Sequence, residues 1–475
     1  MLSTGGLVFV GLYLASLIFI GWLGMRAMKE TSLREFYLGG AGFGTLVLFL
    51  TMYATQYSGN SLIGFAGSAY RNGWFFLVSV TFMMIIVLGY LVYAPRLYPL
   101  AQKHGFITVG DYIHHRYRSL PLTLLVVIIG IWALANYMLT NLKAIGYVVE
   151  LASGGLVGFE TGIIVMAVIM VIYETLGGMR SVAWTDAIQG ILLFAGVMII
   201  FGAVTVHYGS PFENFARLQA LRPELFRTPE LADAIQWLST LILIFFGISV
   251  YPQAIQRIYA AKDTPTLMRS LQLMVLMPLF TTLPLLVIAL IGAAHFPGLD
   301  KAGSDRIVLL MLEQMQHLPG MDMVITLFVE AAVAAIMSTV DSAMLAIASL
   351  FTQDIYHRVY PDASEKQLAV FGKLFSWGMM ALMVLLAIKL PATLWHLIQI
   401  KLEILAQSAP AVMLGVWMKR LEARALFWGA LAGVGVTLFF LLSPLPDKPL
   451  GFHAGVWGLA ANFAVIFFLN RRFRY

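Results

Sequence analysis

The sequence predicts an all-α membrane protein with thirteen transmembrane helices, and two features of the chain carry this prediction. The first is composition: of 475 residues, 60% are hydrophobic and only 11% are charged, whereas a soluble domain is about 45–50% apolar and about 25% charged. The second is segmentation, because apolar stretches of about 20 residues, the length that crosses a bilayer, recur along the chain. A lipid bilayer is therefore expected to cover most of the surface.

The thirteen candidate spans are joined by short connections, none of which is long enough to form a soluble domain. We therefore expect a single transmembrane domain over residues 1–475. The formal net charge of +6 is explained by basic loops on one side of the membrane, so nucleic-acid binding is not expected. The spans are expected at about 5–25, 43–70, 74–100, 121–150, 160–177, 181–207, 236–260, 268–295, 322–350, 368–388, 393–417, 424–443 and 453–470.

The thirty lysine and arginine residues are unequally divided between the two sets of alternate loops. One set carries twenty, among them Arg257, Arg471, Arg472 and Arg474, whereas the opposite set carries eight. Because cytoplasmic loops carry the excess of basic residues, we expect the N-terminus outside and the C-terminus in the cytoplasm, which requires an odd number of spans. The lack of a soluble domain favours the inner membrane of a bacterium.

Two of the spans are interrupted near their middle by polar residues, glycine or proline. The second span reads TMYATQYSGNS over residues 51–61, and the seventh reads GISVYPQ over residues 247–253. Pro252 removes a backbone donor and frees a carbonyl one turn earlier. A packing kink explains either interruption alone, but interruptions at corresponding positions of two halves indicate an inverted-repeat transporter with its site near the membrane midplane.

The ninth span offers oxygen atoms to a small cation. It reads AAVAAIMSTVDS over residues 331–342, where small residues allow close helix approach and Ser338 and Thr339 supply adjacent hydroxyls. Hard cations bind oxygen ligands, but serine and threonine also bond commonly to carbonyls of their own helix. Both explanations of this pair stay open.

Ionisable residues inside spans are expected at functional positions because charges are costly in a bilayer. Asp186 lies near the start of the sixth span, where the helix dipole also favours a carboxylate. Lys143 is expected to extend its ammonium group to the interface, and Lys401 is a candidate for an outer vestibule. The residues of this kind are Lys143, Asp186, Glu330, Asp341, Lys401 and Glu403.

Four motifs, in order along the chain, resemble the sodium:solute symporters, a family that includes bacterial proline and pantothenate carriers and sodium/sugar carriers. The most specific is GGMRSVAWTDAIQ at Gly177–Gln189, which is similar to the Gly-Gly…Trp-Thr-Asp-x-x-Gln signature of that family. The others are FYLGG at 36–40, the A-x-x-S-T pattern at Ala335–Thr339 with TQDIY at 352–356, and PAVMLG at 410–415. The resemblance covers nearly the whole chain.

The resemblance implies a LeuT-like fold, in which two five-helix repeats have opposite orientations in the membrane. The repeats would span about 43–207 and about 236–417, with peripheral helices at about 5–25, 424–443 and 453–470. It also implies a sodium site between spans 2 and 9, with Asp186 guiding release of the ion to the cytoplasm. The implied sodium ligands are the carbonyls of Ala54, Tyr57 and Ala335 and the hydroxyls of Ser338 and Thr339.

The solute is expected beside the two interruptions. Gln56 stands where the resembling proline carriers have an aspartate, and Ile244 and Ile248 stand where they have aromatic solute contacts, so proline itself is not expected. The expected solute contacts are Gln56, Ser58, Gly59, Tyr251, Pro252 and Gln253.

The expected function is sodium-coupled symport of a small carboxylate-bearing solute, such as an amino acid, a monocarboxylate or a vitamin, by alternating access. A carboxylate is expected because the outer half of the second span directs its positive N-terminal end at the midplane. The expected partners are the solute, sodium ions and the bilayer. No obligate protein partner and no enzymatic activity are expected.

Three alternatives stay open. A proton-coupled carrier on the same fold would use Glu330 and Asp341, and a sugar or polyol symporter would differ in solute alone. A membrane sensor module is the most remote, because the chain ends five residues after its last expected span, leaving no room for an output domain.

Overall fold

The chain is helical throughout the part that the computed structural model describes, namely residues 2–30, 32–390, 394–446 and 448–470. In these residues the only extended pairing is an isolated bridge between Phe43 and Ala261. The all-α prediction is confirmed. The helices are α1 (Thr4–Arg26), α2 (Leu33–Leu38), α3 (Thr45–Gln56), α4 (Phe65–Asn72), α5 (Val80–His104), α6 (Val109–Tyr117), α7 (Leu120–Ala152), α8 (Phe159–Tyr208), α9 (Pro211–Leu221), α10 (Leu231–Gly247), α11 (Pro252–Ala260), α12 (Thr264–Phe280), α13 (Thr282–His295), α14 (Lys301–Asp305), α15 (Ile307–Met315), α16 (Met321–Ser349), α17 (His357–Val359), α18 (Glu365–Lys389), α19 (Leu394–Leu405), α20 (Ala423–Leu442) and α21 (Ala454–Leu469).

Nine helical stretches of the described residues are long and apolar enough to cross a bilayer, and α3 and α21 are shorter apolar helices. The predicted fifth and sixth spans form the single helix α8, whereas the second, seventh and eleventh spans are divided into shorter helical pieces. The multi-pass architecture is confirmed, and the count of thirteen remains a prediction. The nine stretches are Thr4–Arg26, Phe65–His104, Leu120–Ala152, Phe159–Tyr208, Leu231–Val250, Thr264–His295, Met321–Val359, Glu365–Lys389 and Ala423–Leu442.

Helix α8 changes direction at Gly178. Its 50 residues would measure about 75 Å at about 1.5 Å per residue, more than twice the hydrocarbon thickness of about 30 Å. Gly178 has φ 53° and ψ −141°, a conformation that residues with a Cβ avoid. A Cβ at this position would also lie 2.3 Å from the Phe36 carbonyl oxygen. The bend is therefore built on a glycine in close contact with the α2 backbone.

Polar residues begin several helices outside the apolar segments. Thr108, Ser210 and Ser364 each form a capping box with the residue three positions later, which satisfies backbone donors at the helix start. Asp263 accepts the Thr266 N–H at 2.8 Å at the start of α12. Hydrogen bonds from the Thr266 side chain and backbone lower the pKa of Asp263, so this cap stays charged at neutral pH.

The two interrupted spans lie side by side in opposite directions. The N–H of Phe43, just before α3, donates to the Ala260 carbonyl at 3.2 Å, and the N–H of Lys262 donates to the Phe43 carbonyl at 3.1 Å. The start of the second span thus contacts the end of the seventh. A π-helical segment, Asn60–Gly64, separates α3 from α4, and a 3₁₀ segment, Ile248–Val250, separates α10 from α11.

Arg257 does not belong to a loop, as the count of basic residues assumed. It lies in α11 with 1% of its surface exposed. This position falls inside the predicted seventh span, 236–260, so Arg257 does not contribute to the loop charge. Arg471, Arg472 and Arg474, which that count also used, lie outside the described residues. The orientation of the chain in the membrane stays a prediction.

Candidate functional site

A cavity of about 600 Å³ lies between the interrupted helices and α5, α7 and α19. Its volume is within the range of small-molecule sites. Polar side chains of α3, α7 and α11 face its inner part. Three arginines and a lysine, which belong to the smaller set of eight basic residues counted from the sequence, surround its mouth. The inner lining includes Gln56, Ser58, Tyr137, Asn141, Tyr251, Gln253, Arg257 and Lys401, and the mouth includes Arg71, Arg222, Arg227 and Lys448.

Four of the six expected solute contacts line this cavity, namely Gln56, Ser58, Tyr251 and Gln253. The Gln56 amide nitrogen donates to the Met83 carbonyl at 3.0 Å. The side-chain oxygens of Gln56, Gln253 and Tyr251 are buried without a hydrogen-bond partner in the described part of the chain. These three groups can therefore each form a new hydrogen bond inside the cavity.

The other two expected contacts, Gly59 and Pro252, pack against helices instead. A Cβ on Gly59 would lie 2.6 Å from the Ile336 side chain of α16, and a Cβ on Gly130 of α7 would lie 2.9 Å from the Pro252 ring. Gly59 thus allows the interruption in the second span to touch α16. Pro252 occupies the first turn of α11, where its missing N–H costs no helical bond.

The end of α3 releases backbone carbonyls. The Ser58 N–H, which would bond to the Ala54 carbonyl in a continued helix, donates instead to the Ser61 hydroxyl at 3.4 Å. The Ser61 N–H, which would bond to the Tyr57 carbonyl, donates to the Ser58 carbonyl at 2.9 Å. The carbonyls of Ala54 and Tyr57 are consequently free of these helical bonds, at positions where each residue is 1% exposed.

On α16, the oxygens of three residues lie within one turn of each other. The Thr339 hydroxyl donates to the Ala335 carbonyl at 2.9 Å, and the hydroxyl keeps its lone pairs for another ligand. The Ser338 hydroxyl is fully buried beside the Asp186 carboxylate, and it forms no hydrogen bond of normal geometry to the described residues. Such a buried hydroxyl is uncommon, and its oxygen keeps lone pairs for a cation.

Helices α3 and α16 meet at these oxygens. Gly59 contacts Ile336, the residue after Ala335, and the hydroxyls of Thr55 and Ser342 lie 3.3 Å apart. The Tyr137 side chain of α7 lies near the side chains of both Ser58 and Thr339. The released carbonyls and the α16 hydroxyls therefore belong to one region, which borders the cavity through Tyr137.

Asp186 forms a fully buried ion pair beside this region. Its carboxylate lies 2.8 Å from an Arg257 guanidinium nitrogen and beside the Ser338 hydroxyl. Arg257 also donates to the Thr51 hydroxyl at 2.9 Å and to the Ser342 hydroxyl. One guanidinium group thus connects α11 with α3, α8 and α16.

The other ionisable residues in the spans are buried and differ in their surroundings. Asp341 accepts a hydrogen bond from the Tyr173 hydroxyl at 2.5 Å, and one Glu330 carboxyl oxygen lacks a hydrogen-bond partner among the described residues. Lys143 is buried rather than extended to the interface, and its ammonium donates to the Leu390 carbonyl. Lys401 is 3% exposed and lies against the Tyr137 ring.

Sequence reasoning missed Arg257 and Tyr137 as members of this site. In α11, Gln253, Gln256 and Arg257 follow the i, i+3, i+4 spacing of one helix face. Tyr137, Thr140 and Asn141 follow the same spacing in the predicted fourth span. A polar face within an apolar helix was therefore visible in both segments. The partner of each face was not visible, because it lies on another helix.

Interrupted helices around a cavity lined by unpaired oxygens are typical of secondary active transporters. The model of the sodium:solute symporter family matches residues 36–433, and the chain belongs to this family. The expected family is thereby confirmed, together with sodium as the coupling ion and transport rather than an enzymatic function.

Curated relatives and solved structures are similar over almost the full length. The chain is 26% identical to the sodium/pantothenate symporter of Escherichia coli, over 96% of this chain and 95% of that protein. It is also 26% identical to the osmoregulated proline transporter OpuE of Bacillus subtilis, over 90% and 86%. A Na⁺-coupled sialic acid symporter in a substrate-bound, outward-open state has a TM-score of 0.79 at 19% identity, over 97% and 95%. This structural likeness confirms the LeuT-like fold.

Proposed function

We propose that the chain binds sodium between α3 and α16 and uses it to move a small carboxylate-bearing solute inward from the cavity. The proposed sodium ligands are the carbonyls of Ala54, Tyr57 and Ala335 and the hydroxyls of Ser338 and Thr339. The observation that carries this proposal is the buried Ser338 hydroxyl, which forms no hydrogen bond of normal geometry to the described residues and lies where the α3 interruption meets α16. All five ligands are oxygens, which is the chemistry that a hard cation requires.

Sodium binding at this position links the two repeats, for which we propose the bounds 43–207 and 236–417. Ligands on α3 come from the first repeat and ligands on α16 from the second, so the ion favours the arrangement in which these helices touch. The cavity opens between Arg71, Arg222, Arg227 and Lys448, on the side that the distribution of basic residues predicts to be external. We therefore assign the open mouth to the outside and the C-terminus to the cytoplasm of a bacterial inner membrane.

Asp186 suits the release path for sodium. It lies beside Ser338, and its second carboxyl oxygen is buried without a hydrogen-bond partner in the described residues. When α3 and α16 separate, this oxygen offers the departing ion an anionic ligand next to Ser338, and the adjacent Arg257 limits how tightly it holds the cation. The ion then leaves on the side opposite the open mouth.

The solute is proposed to bind at Gln56, Ser58, Tyr251 and Gln253. Their unpaired oxygens and the two tyrosine rings at Tyr137 and Tyr251 fit a small molecule with polar groups and an apolar part. The related E. coli protein is a symporter of pantothenate, which carries a carboxylate. A carboxylate also agrees with the positive end of the outer half-helix at the interruption.

Loss of the two hydroxyls on α16 is expected to weaken sodium binding and leave the fold intact. In Ser338→Ala/Thr339→Ala, the half-saturating sodium concentration for uptake into proteoliposomes should rise by about tenfold or more, about 1.4 kcal/mol for each factor of ten. Thr326→Ala is the matched control, because Thr326 lies on the same helix and donates to the Asp322 carbonyl at 2.7 Å as Thr339 does to Ala335. An unchanged sodium dependence in the double variant would contradict the proposed ligands.

The same assay decides between sodium and proton coupling. Uptake driven by a proton gradient without sodium, and lost in Asp341→Asn, would assign the coupling to the Asp341–Tyr173 pair. The expected result is no uptake in the absence of sodium.

A further inference from the structure

We propose that Lys401 is the counter-ion of the solute carboxylate, and that the transported solute carries a net negative charge rather than being a zwitterion. This inference rests on the proposed function of the cavity and specifies the charge of what binds there. It concerns α19, which the sequence did not connect with solute binding.

Lys401 occupies an unusual electrostatic position. Lys401 is 3% exposed, and its ammonium nitrogen lies 3.6 Å from the centre of the Tyr137 ring. This cation–π contact is the only interaction of the group recorded within the described residues. A desolvated ammonium is costly inside a membrane protein unless an anion is nearby. The ring face offsets part of that cost, and a bound carboxylate would offset the rest.

The other buried cationic side chains near the cavity already have partners in the protein. The charge of Arg257 is balanced by Asp186 at 2.8 Å, and the Lys143 ammonium donates to the carbonyl of Leu390. Arg257 lines the cavity, but Asp186 balances its charge, and four of its five N–H groups donate to Thr51, Gln253, Asp186 and Ser342. Lys401 is therefore the cation of the inner cavity whose charge has no carboxylate partner among the described residues.

The nearest carboxylate along the chain, Glu403, serves a different contact. One of its oxygens accepts the Gly455 N–H at 3.1 Å, and the other lies 3.6 Å from the His453 ring nitrogen. Both partners belong to the segment that begins α21, so Glu403 holds α19 against α21. It does not neutralise Lys401.

The inner cavity also offers no anion to a solute ammonium group. Among the described residues that line the cavity, the carboxylates are Glu224 and Asp233 at the mouth. Each already pairs with an arginine, Arg222 at 3.0 Å and Arg227 at 2.6 Å. An α-ammonium group placed next to Lys401 would meet like charge without compensation. A solute hydroxyl or amide group at the position of the ammonium would instead form hydrogen bonds with the unpaired oxygens of Gln56, Tyr251 and Gln253.

The position of Lys401 also connects solute binding with sodium binding. The Tyr137 ring under the ammonium stacks on Tyr251 at 5.4 Å, and the Tyr137 side chain lies near those of Ser58 and Thr339. A carboxylate on Lys401 would thus be one aromatic ring away from a proposed sodium ligand. The anion and the sodium ion would then stabilise each other's binding across Tyr137.

The test compares three series of compounds that differ only in their head group. The probes are 2-hydroxy acids with side chains from methyl to benzyl, the amides of these acids, and amino acids with the same carbon skeletons. The full chain is purified in detergent with saturating sodium, and binding is measured as a rise in the unfolding midpoint and as competition for uptake in proteoliposomes. The strongest ligands are expected in the hydroxy-acid series, with the amides and the amino acids failing to bind.

Three variants assign this selectivity to the charge of one residue. Lys401→Met is expected to weaken carboxylate binding by about 30-fold or more, while Lys401→Arg keeps the charge and most of the affinity. Lys373→Met is the matched control, because Lys373 lies over the Phe36 ring at 4.8 Å and is not among the cavity-lining residues. The Lys373→Met variant should bind the hydroxy acids with the same affinity as the natural sequence.

Two results would overturn the inference. Amides or amino acids that bind as well as the hydroxy acids would remove the need for a counter-ion, and undiminished carboxylate binding in Lys401→Met would assign the selectivity elsewhere. Stabilisation by sodium alone, compared between the natural sequence and Ser338→Ala/Thr339→Ala, tests the sodium site independently. A failure of the Lys401 proposal can thereby be distinguished from a failure of the proposed sodium site.

Discussion

Replacing Arg257 with methionine is expected to destabilise the folded transporter by about 3–5 kcal/mol, the usual cost of removing one partner from a buried ion pair. Asp186 would remain fully buried with an uncompensated charge. The hydroxyls of Thr51 and Ser342 would also lose a charged donor. Because one guanidinium connects four helices, we expect a lower unfolding midpoint and a smaller yield of monodisperse protein.

A second change on the partner residue separates charge from packing. In Asp186→Asn/Arg257→Met neither charge remains, so most of the lost stability is expected to return, as replacement of buried ion pairs by neutral residues often shows. The measurement is a double-mutant cycle on the unfolding midpoint of the purified full chain. If the double variant is as unstable as the sum of the single variants Asp186→Asn and Arg257→Met, the two side chains do not form the pair described above.

Gly178→Ala is expected to have an effect of similar size by a backbone mechanism. The positive φ at Gly178 costs a residue with a Cβ about 1–3 kcal/mol, and the added Cβ would lie 2.3 Å from the Phe36 carbonyl oxygen. The backbone of α2 or of the bend in α8 must therefore move. We expect a large loss of folded protein after extraction in detergent.

The control for this prediction lies on the same helix. Gly202 of α8 has no atom within 4 Å of an added Cβ, so Gly202→Ala should leave the unfolding midpoint unchanged or raise it, because alanine is the better helix former. Equal unfolding midpoints for Gly178→Ala and Gly202→Ala would show that the bend does not depend on the glycine conformation.

Much of the fold could be predicted because the membrane restricts the possible structures. Apolar segments long enough to cross the bilayer have to be helical, and the polar interruptions at 51–61 and 247–253 fall where α3 and α10 end. The sequence also placed two spans within α8, at 160–177 and 181–207, and the bend at Gly178 lies between them. The absence of a loop at this position could not be predicted, since it depends on the conformation of a single glycine.

The candidate site could be predicted only in part. Ser338 and Thr339 were recognisable from a motif, yet the bond from Thr339 to the Ala335 carbonyl and the missing partner of Ser338 depend on neighbouring helices. A positive residue near a helix end looks like a loop charge in a sequence, as Arg257 did. Its burial against Asp186 depends on contacts between residues 71 positions apart in the chain.

The charge of the solute that we propose for the cavity also determines how transport responds to voltage. The Lys401 side chain stays with the protein, whereas the charge of an anionic solute crosses the membrane together with sodium. One sodium ion with one anion moves no net charge, so a membrane potential of 100 mV, worth about 2.3 kcal/mol per charge, would add nothing to accumulation. A transport current would require a second sodium ion in each cycle. Recording current together with solute flux would therefore count the sodium ions that accompany each solute molecule.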